Sequence, residues 1–222
     1  MTRSHPKAAR AFATAKHCEI AFSVSKAEKR IVIYGKRRVF DGFFKIDETE
    51  LSYERLDRKM SPPVKRLCFE RGDSVAAILF DVERRKLLFV KQFRYPTYEK
   101  GSGWIVETVA GILEPGETPE AALRRETLEE TGYEIALLES IAKFYVSPGG
   151  SSERILLYYA EVLKTGKVGV GGGVTGENED IKTVEYSPEE LDHALASGEI
   201  QDAKTIIGIQ WWQARFNHRE RR

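Results

Sequence analysis

The sequence predicts an α/β fold, a layered α/β/α domain behind a small β-rich N-terminal unit. Three observations carry this. Short β-rich runs fill residues 28–70, apolar strand-like runs alternate with helical patterns after Gly72, and two helices with clear start and stop signals stand near 119–131 and 188–197. The chain has 222 residues, 41% hydrophobic and 31% charged, enough for one substantial core plus an accessory unit.

In chain order, the first seventeen residues, MTRSHPKAARAFATAKH, are basic and free of acids. They read as a flexible tail, with a mitochondrial transit peptide as the alternative. The expected division is a tail over 1–26, a β unit over 27–71, a catalytic domain over 72–217 and a solvated tail over 218–222. In the β unit, RIVIYGKRRVF, GFFKIDETELSYERL and VKRLCFER read as strands, with Met60-Ser61-Pro62-Pro63 as a turn. SVAAILFD and KLLFVKQF, separated by VERRK, predict a hairpin in a buried sheet. WIVETVAG alternates with period two, and IALLESIAKFYV and RILLYYAEVL flank the loop SPGGSSER. KTGKVGVGGGVTGENED is a long Gly-rich stretch of the kind that is usually functional or mobile. Ser187-Pro188-Glu189-Glu190 is a capping box closed by Gly198, and 202–216 reads as a packed terminal helix.

Composition removes several function classes. Net charge is +1, with 35 basic against 34 acidic residues, too balanced for a protein that neutralises nucleic-acid phosphates. Cys18 and Cys68 make no disulfide framework and suit a reducing compartment, hence the cytoplasm. No apolar run reaches the length of a membrane span. His5, His17, His193 and His218 fit no metal spacing, and no Ser/His/Asp or Cys/His nucleophile set appears, which fits direct attack by water.

The chemistry concentrates in GILEPGETPEAALRRETLEETGY, residues 111–133. Thr118 caps, Pro119 occupies the first helical position and Gly132 supplies the stop. Glu126 and Glu130, four apart, lie within ~40° of each other and ~6 Å apart along the axis, with Glu129 beside them. Like charges at that spacing destabilise a helix, so something should compensate. A hard divalent ion is one candidate. A solvated acidic face is the plain alternative. Arg125 is placed to pair with Glu117 across the preceding turn.

Gly111, Glu117, Arg125, Glu126, Glu129, Glu130 and Gly132 together match G-x5-E-x7-R-E-x-x-E-E-x-G without a gap. The chain therefore resembles the Nudix hydrolases, departing only at Thr127, where the family usually carries an aliphatic residue. FFKID, FERG, KQFR, SPGGSSER and GENEDI extend the resemblance to the ADP-ribose pyrophosphatase branch over roughly 28–214. The resemblance implies a Nudix α/β/α sandwich with a mixed sheet and a small N-terminal antiparallel β unit. That unit would be exchanged between subunits of a homodimer with shared active sites. It implies Mg²⁺, with Mn²⁺ as a substitute, held by Glu126, Glu130, the carbonyl of Ala110 and Glu179, with Glu129 a further ligand or close support. It makes Glu177 the general base, with Glu179 as the other choice. Arg125 joins the catalytic set by supporting these acids.

For the substrate, the resemblance sets Phe43 and Arg66 around the adenine. Arg94 would contact phosphate or adenine, Gly149 and Gly150 a phosphate, and Glu153 the terminal ribose. Without the resemblance Phe43 reads as core, Arg66 and Arg94 as surface arginines, and Glu153 as a partner of Arg154. The expected reaction is hydrolysis of ADP-ribose to AMP and ribose 5-phosphate. A GDP-mannose-type nucleotide-sugar pyrophosphatase is the alternative within the same activity, and a non-catalytic Nudix-like nucleotide sensor the alternative of another functional class.

Overall fold

A computed structural model of the chain describes residues 30–174, 176 and 179–220, with side chains through 216. The N-terminal tail with Cys18, and the proposed base Glu177, lie outside the described residues.

Three strands form the N-terminal unit: β1 (Ile31–Asp41), β2 (Lys45–Tyr53) and β3 (Val64–Glu70), antiparallel in that order. Cross-strand ion pairs of Arg37 with Glu48, and of Lys36 and Arg38 with Asp47, fasten β1 to β2. Every residue of β1 is exposed. The reversal between β2 and β3 differs from expectation. It lies at Arg55–Lys59, where the Arg55 N–H donates to the Lys59 carbonyl at 2.8 Å and Arg58 takes φ 64°. Met60–Pro63 instead leads away from that turn, since Met60 bridges back to Glu54 and the Ser61 N–H to the Tyr53 carbonyl.

The second sheet holds β4 (Asp73–Asp81), β5 (Lys86–Phe93), β6 (Trp104–Glu107), β7 (Val109–Ile112), β8 (Tyr133–Tyr145), β9 (Arg154–Lys167) and β10 (Lys182–Tyr186). Its main path runs β10-β5-β4-β9-β8, with β6 on β5 and β7 on β4. Only β4 and β9 pair in parallel, so the sheet is mixed. WIVETVAG is not one strand. It breaks at Thr108 because its first half follows β5 and its second half β4.

The sheet is covered on both faces, which explains the unbroken apolar runs over residues 75–80 in β4 and 87–90 in β5. Val75, Ala77, Leu88 and Val90 pack with Ala122 and Leu123 of α2 (Pro119–Thr131). Ile78, Leu87 and Phe89 point the other way, onto Leu191 and Ala194 of α3 (Pro188–Ser197) and Ile209 and Trp212 of α4 (Ala203–Glu220). A one-turn helix, α1 (Tyr95–Tyr98), follows β5. Each fully buried large side chain contributes about 1.5–3 kcal/mol by leaving water. The terminal helix continues past Phe216, since no Gly or Pro follows Gly208 to stop it.

Candidate active site

Helix α2 forms where its end signals place it. The Thr118 hydroxyl accepts from the Ala121 N–H at 3.2 Å, and Gly132 (φ 75°) closes the helix with its N–H on the Leu128 carbonyl. Ala122, Leu123, Thr127, Glu130 and Thr131 form the buried stripe. Glu130 thus stands where helical periodicity calls for an apolar residue, and it is 4% exposed. Its Oε2 has no hydrogen-bond partner among the described residues. Burial first, and then the charges of Glu126, Glu107 and Glu179, push its carboxyl well above the ordinary carboxylate range. Glu126 is raised as well, again chiefly by burial. Thr127 is buried with its hydroxyl unpartnered, so the departure from the family pattern puts a polar atom under the helix.

Glu126 lies flat against β7. A Cβ on Gly111 would come within 1.9 Å of Glu126 Oε1, so only glycine leaves this carboxylate its place beside Ala110. Arg125 gathers the acids: it donates to both oxygens of Glu117 at 3.2 Å, to Glu126 at 2.9 Å and to Glu129 at 3.2 Å. The expected pairing with Glu117 is present, and the guanidinium offsets the repulsion along the helix.

The Gly-rich stretch begins as a docked strap. Val168 and Gly169 donate to the Gly132 carbonyl, Gly172 to that of Glu130 at 2.9 Å and Gly173 to that of Glu129 at 3.0 Å, so these carbonyls at the helix end are satisfied by backbone. Gly171 has φ +70°, and a Cβ there would strike the Glu130 carbonyl oxygen at 2.7 Å. The strap leads to Glu179, whose Oε2 accepts from the Val174 N–H and whose charge acts on both Glu126 and Glu130.

Sequence reasoning passed over a second network. Glu107 is 4% exposed; its Oε1 accepts from Arg94 Nε at 2.6 Å and its Oε2 from Lys204 Nζ at 2.6 Å. Burial opposes its charge, yet the Lys204 ammonium and the Arg94 guanidinium hold its carboxyl below the usual range. The available signal was a single acid inside the otherwise apolar alternation of WIVETVAG.

The substrate candidates are spread more widely. Phe43 is 88% exposed at the β1–β2 turn, so it is not core. With Phe44, Arg71, Gly72 and Ile112 it lines a cleft of about 270 Å³ between the N-terminal sheet and β7. Arg66 is exposed on β3, donating to the Lys65 carbonyl. Gly149 and Gly150 sit in an exposed loop, tied to β3 by the Phe69 N–H on the Gly150 carbonyl at 2.8 Å, and a Cβ on either would meet nothing. Glu153 accepts from Ser74 at 3.0 Å and lies 3.7 Å from Arg71, whereas Arg154 pairs with Asp73, not with its neighbour. A larger hollow of about 450 Å³ between β10 and α3, lined by Glu185, Tyr186 and His193 among others, shares no residue with the acid cluster.

A family model described as the NUDIX domain matches residues 70–207, more than half of the chain. The chain belongs to the Nudix family. It is similar to an ADP-ribose pyrophosphatase of Escherichia coli (strain K12), 32% identical over 191 residues that cover 86% of this chain and 91% of that protein. A GDP-mannose pyrophosphatase of Shigella flexneri serotype 5b is 31% identical over 187 residues, covering 83% and 96%. A crystal structure of an ADP compounds hydrolase superposes with a TM-score of 0.66 at 15% identity, covering 87% of this chain and 97% of that one, which places the Nudix fold. Nudix hydrolases generally use a divalent metal.

The acid cluster fits such an ion. An orphaned, buried carboxylate oxygen on Glu130 and a glycine cradle for Glu126 are what a hard cation needs from its protein side. Among the described residues no three His, Cys, Asp or Glu side chains converge into a ready-made cage. No described helix is long and apolar enough to cross a membrane.

Proposed function

We propose that the chain hydrolyses the pyrophosphate bond of a nucleoside diphosphate sugar with Mg²⁺, Mn²⁺ serving as a substitute. We further propose that ADP-ribose, cleaved to AMP and ribose 5-phosphate, is its preferred substrate. The observation that carries the reaction is the unpaired, buried Glu130 carboxylate beside Glu126 on the signature helix.

Glu126, Glu130, the Ala110 carbonyl and Glu179 would hold the metal, with Glu129 at its margin. Bound there, the ion would neutralise diphosphate charge, polarise phosphorus and acidify water. Mg²⁺ characteristically takes one or two carboxylates plus substrate oxygens and water, in keeping with a cluster that is not a closed cage. Arg125 keeps the acids spaced, and Glu177 takes the proton of the attacking water, with Glu179 the other choice. Arg94 turns toward the phosphates, and the Gly149-Gly150 loop offers them open backbone. Glu153 is the ribose contact. Phe43 and Arg66 hold the base.

The last pair supports a homodimer with shared sites. Lys45 pairs with Glu70 and Thr49 with Arg66, so Arg66 lies about 13 Å along the sheet from the end that carries Phe43. Within one chain the two side chains would have to close that gap around the base, whereas a second copy could bring its Arg66 beside Phe43 directly. The bare β1 edge, with Ile31, Ile33, Tyr34 and Phe40 each more than half exposed, is the surface a second copy would cover. The free Cys68 thiol and the absence of a disulfide framework accord with a cytoplasmic enzyme.

The two groups of pyrophosphatase relatives are almost equally similar, which keeps GDP-mannose as the second reading. Purified protein with Mg²⁺ and ADP-ribose, GDP-mannose or NADH, followed by phosphatase-coupled phosphate release, separates them. The expected result is a higher kcat/KM for ADP-ribose. A preference for GDP-mannose overturns the substrate, and no turnover of any of them overturns the reaction.

A further inference from the structure

Arg94 is fixed everywhere except at its tip. Its backbone N–H donates to the Gly103 carbonyl at 2.7 Å, and its own carbonyl accepts from the N–H and hydroxyl of Thr97 at 2.9 Å. Its Nε is held by Glu107, while its two terminal nitrogens have no hydrogen bond to any described residue. Its side chain is 42% exposed, so the free tip reaches solvent at the end of β5. A guanidinium presented in this way matches a phosphate oxygen pair.

That presentation depends on Glu107 offering only one oxygen. Arginine–carboxylate pairs favour the two-pronged fork, in which a terminal nitrogen is taken as well. Here the second oxygen is occupied from the opposite layer by Lys204 Nζ at 2.6 Å, and that ammonium is itself held by Asp202 at 3.1 Å. The lysine side chain is 14% exposed, and the segment around it is fastened to the same strand break. The Thr108 N–H donates to Thr205 Oγ1 at 2.7 Å, and that hydroxyl donates to Asp202 at 2.6 Å.

We propose that Lys204 is a positioning residue: it occupies one oxygen of Glu107 so that the other holds Arg94 by Nε alone, leaving the terminal nitrogens of Arg94 for a substrate phosphate. This rests on the reading of Arg94 as a phosphate contact. Removing the ammonium lets Glu107 capture the guanidinium with both oxygens and draw its tip away from the substrate.

The test is a double-mutant cycle on the full chain with ADP-ribose. Two readouts are taken, steady-state kinetics with Mg²⁺ and equilibrium binding of ADP-ribose in EDTA. Lys204→Met should raise KM and the dissociation constant about tenfold, the worth of one hydrogen bond to a charged group, with kcat changed less. In an Arg94→Ala background the same replacement should add almost nothing, and Lys204→Arg should restore most of the loss. An equal penalty with and without Arg94 overturns the proposal, because Lys204 would then act on its own. If Lys204→Met fails to fold, Lys204→Gln, which offers Glu107 only a neutral donor, takes its place in the same cycle with a smaller expected coupling to Arg94. An inert Arg94→Ala would remove the phosphate reading and the proposal together, whereas a costly Arg94→Ala without coupling removes the proposal alone.

Discussion

Glu130 is 4% exposed and Phe43 is 88% exposed, yet both are assigned to one site. Around Glu130, helix periodicity, a glycine cradle, a four-way arginine and a backbone strap all specify the same arrangement within one chain. Around Phe43 and Arg66 the constraint is slight: one aromatic touches its neighbour Phe44, and one arginine donates to an adjacent carbonyl. The acid cluster is assembled by folding within one chain, whereas Phe43 and Arg66 make few contacts among the described residues. Mutations should therefore affect chemistry and stability together at the cluster, and binding alone at that pair.

The largest effect is expected at Glu130. Glu130→Gln should lower kcat by more than the roughly 10–100-fold typical of a residue that only supports a metal ligand. It should nevertheless stabilise the metal-free protein, because it removes a buried charge. The sign follows from a folded-state carboxyl raised above its ordinary value of 4.5. Such a group contributes stability below that value and loses it as pH rises through the raised folded value. The Tm of the metal-free protein should thus fall with rising pH more steeply than that of Glu130→Gln, and Mg²⁺ should restore more to the parent chain. Parallel pH curves for the two would refute the buried-charge account.

Next in size is Arg125→Ala, which frees Glu117 and leaves Glu126 and Glu129 facing each other. Activity should drop about 10–100-fold. Arg125→Lys should recover only part of it, since an ammonium cannot span these acids as the planar fork does. Full activity in the alanine variant would show that the guanidinium is not needed to space the carboxylates.

Glycines sharpen the contrast further. Gly171→Ala drives a Cβ into the α2 backbone at a positive φ, with an expected cost of about 1–3 kcal/mol and a correspondingly lower Tm. Gly149→Ala and Gly150→Ala meet nothing and adopt no special φ, so Tm should stay within about 0.5 kcal/mol of the parent. A rise in KM in either of these last two is then attributable to lost approach by a phosphate, and unchanged kinetics would remove that loop from the binding surface.

These regions also differ in how far the sequence revealed them. Helix α2 was legible to the residue because its signals are local: a threonine cap, a proline at the first turn and a left-handed glycine. The hairpin of β4 and β5 was legible because burial on both faces leaves an uninterrupted apolar run. The split of WIVETVAG was not, because it depends on which neighbour each half pairs with. The same holds for Lys204 and Glu107, which are 97 positions apart and meet only once α4 packs beneath the sheet. The docked half of the Gly-rich stretch was hidden similarly. Glycine frequency suggests mobility, while Gly171 through Gly173 use their positive φ values to lie against a helix end.

The smallest effect carries the sharpest test of the comparison. Phe43→Ala and Arg66→Ala should each leave Tm nearly unchanged, within about 0.5 kcal/mol, because neither side chain is buried. Each should raise KM by about tenfold, as expected for a lost stacking or cation–π contact near 1–2 kcal/mol. If one base is held by Phe43 of one copy and Arg66 of another, a dimer of the two variants contains one doubly damaged site and one intact site. Random pairing on co-expression then leaves about a quarter of all sites intact, so a low-KM phase should reappear at about that amplitude. If both residues served the same site from a single chain, no pairing of the two variants could rebuild it, and the low-KM phase would be absent. The outcome decides whether the nucleotide end is completed by a second copy or by the substrate alone.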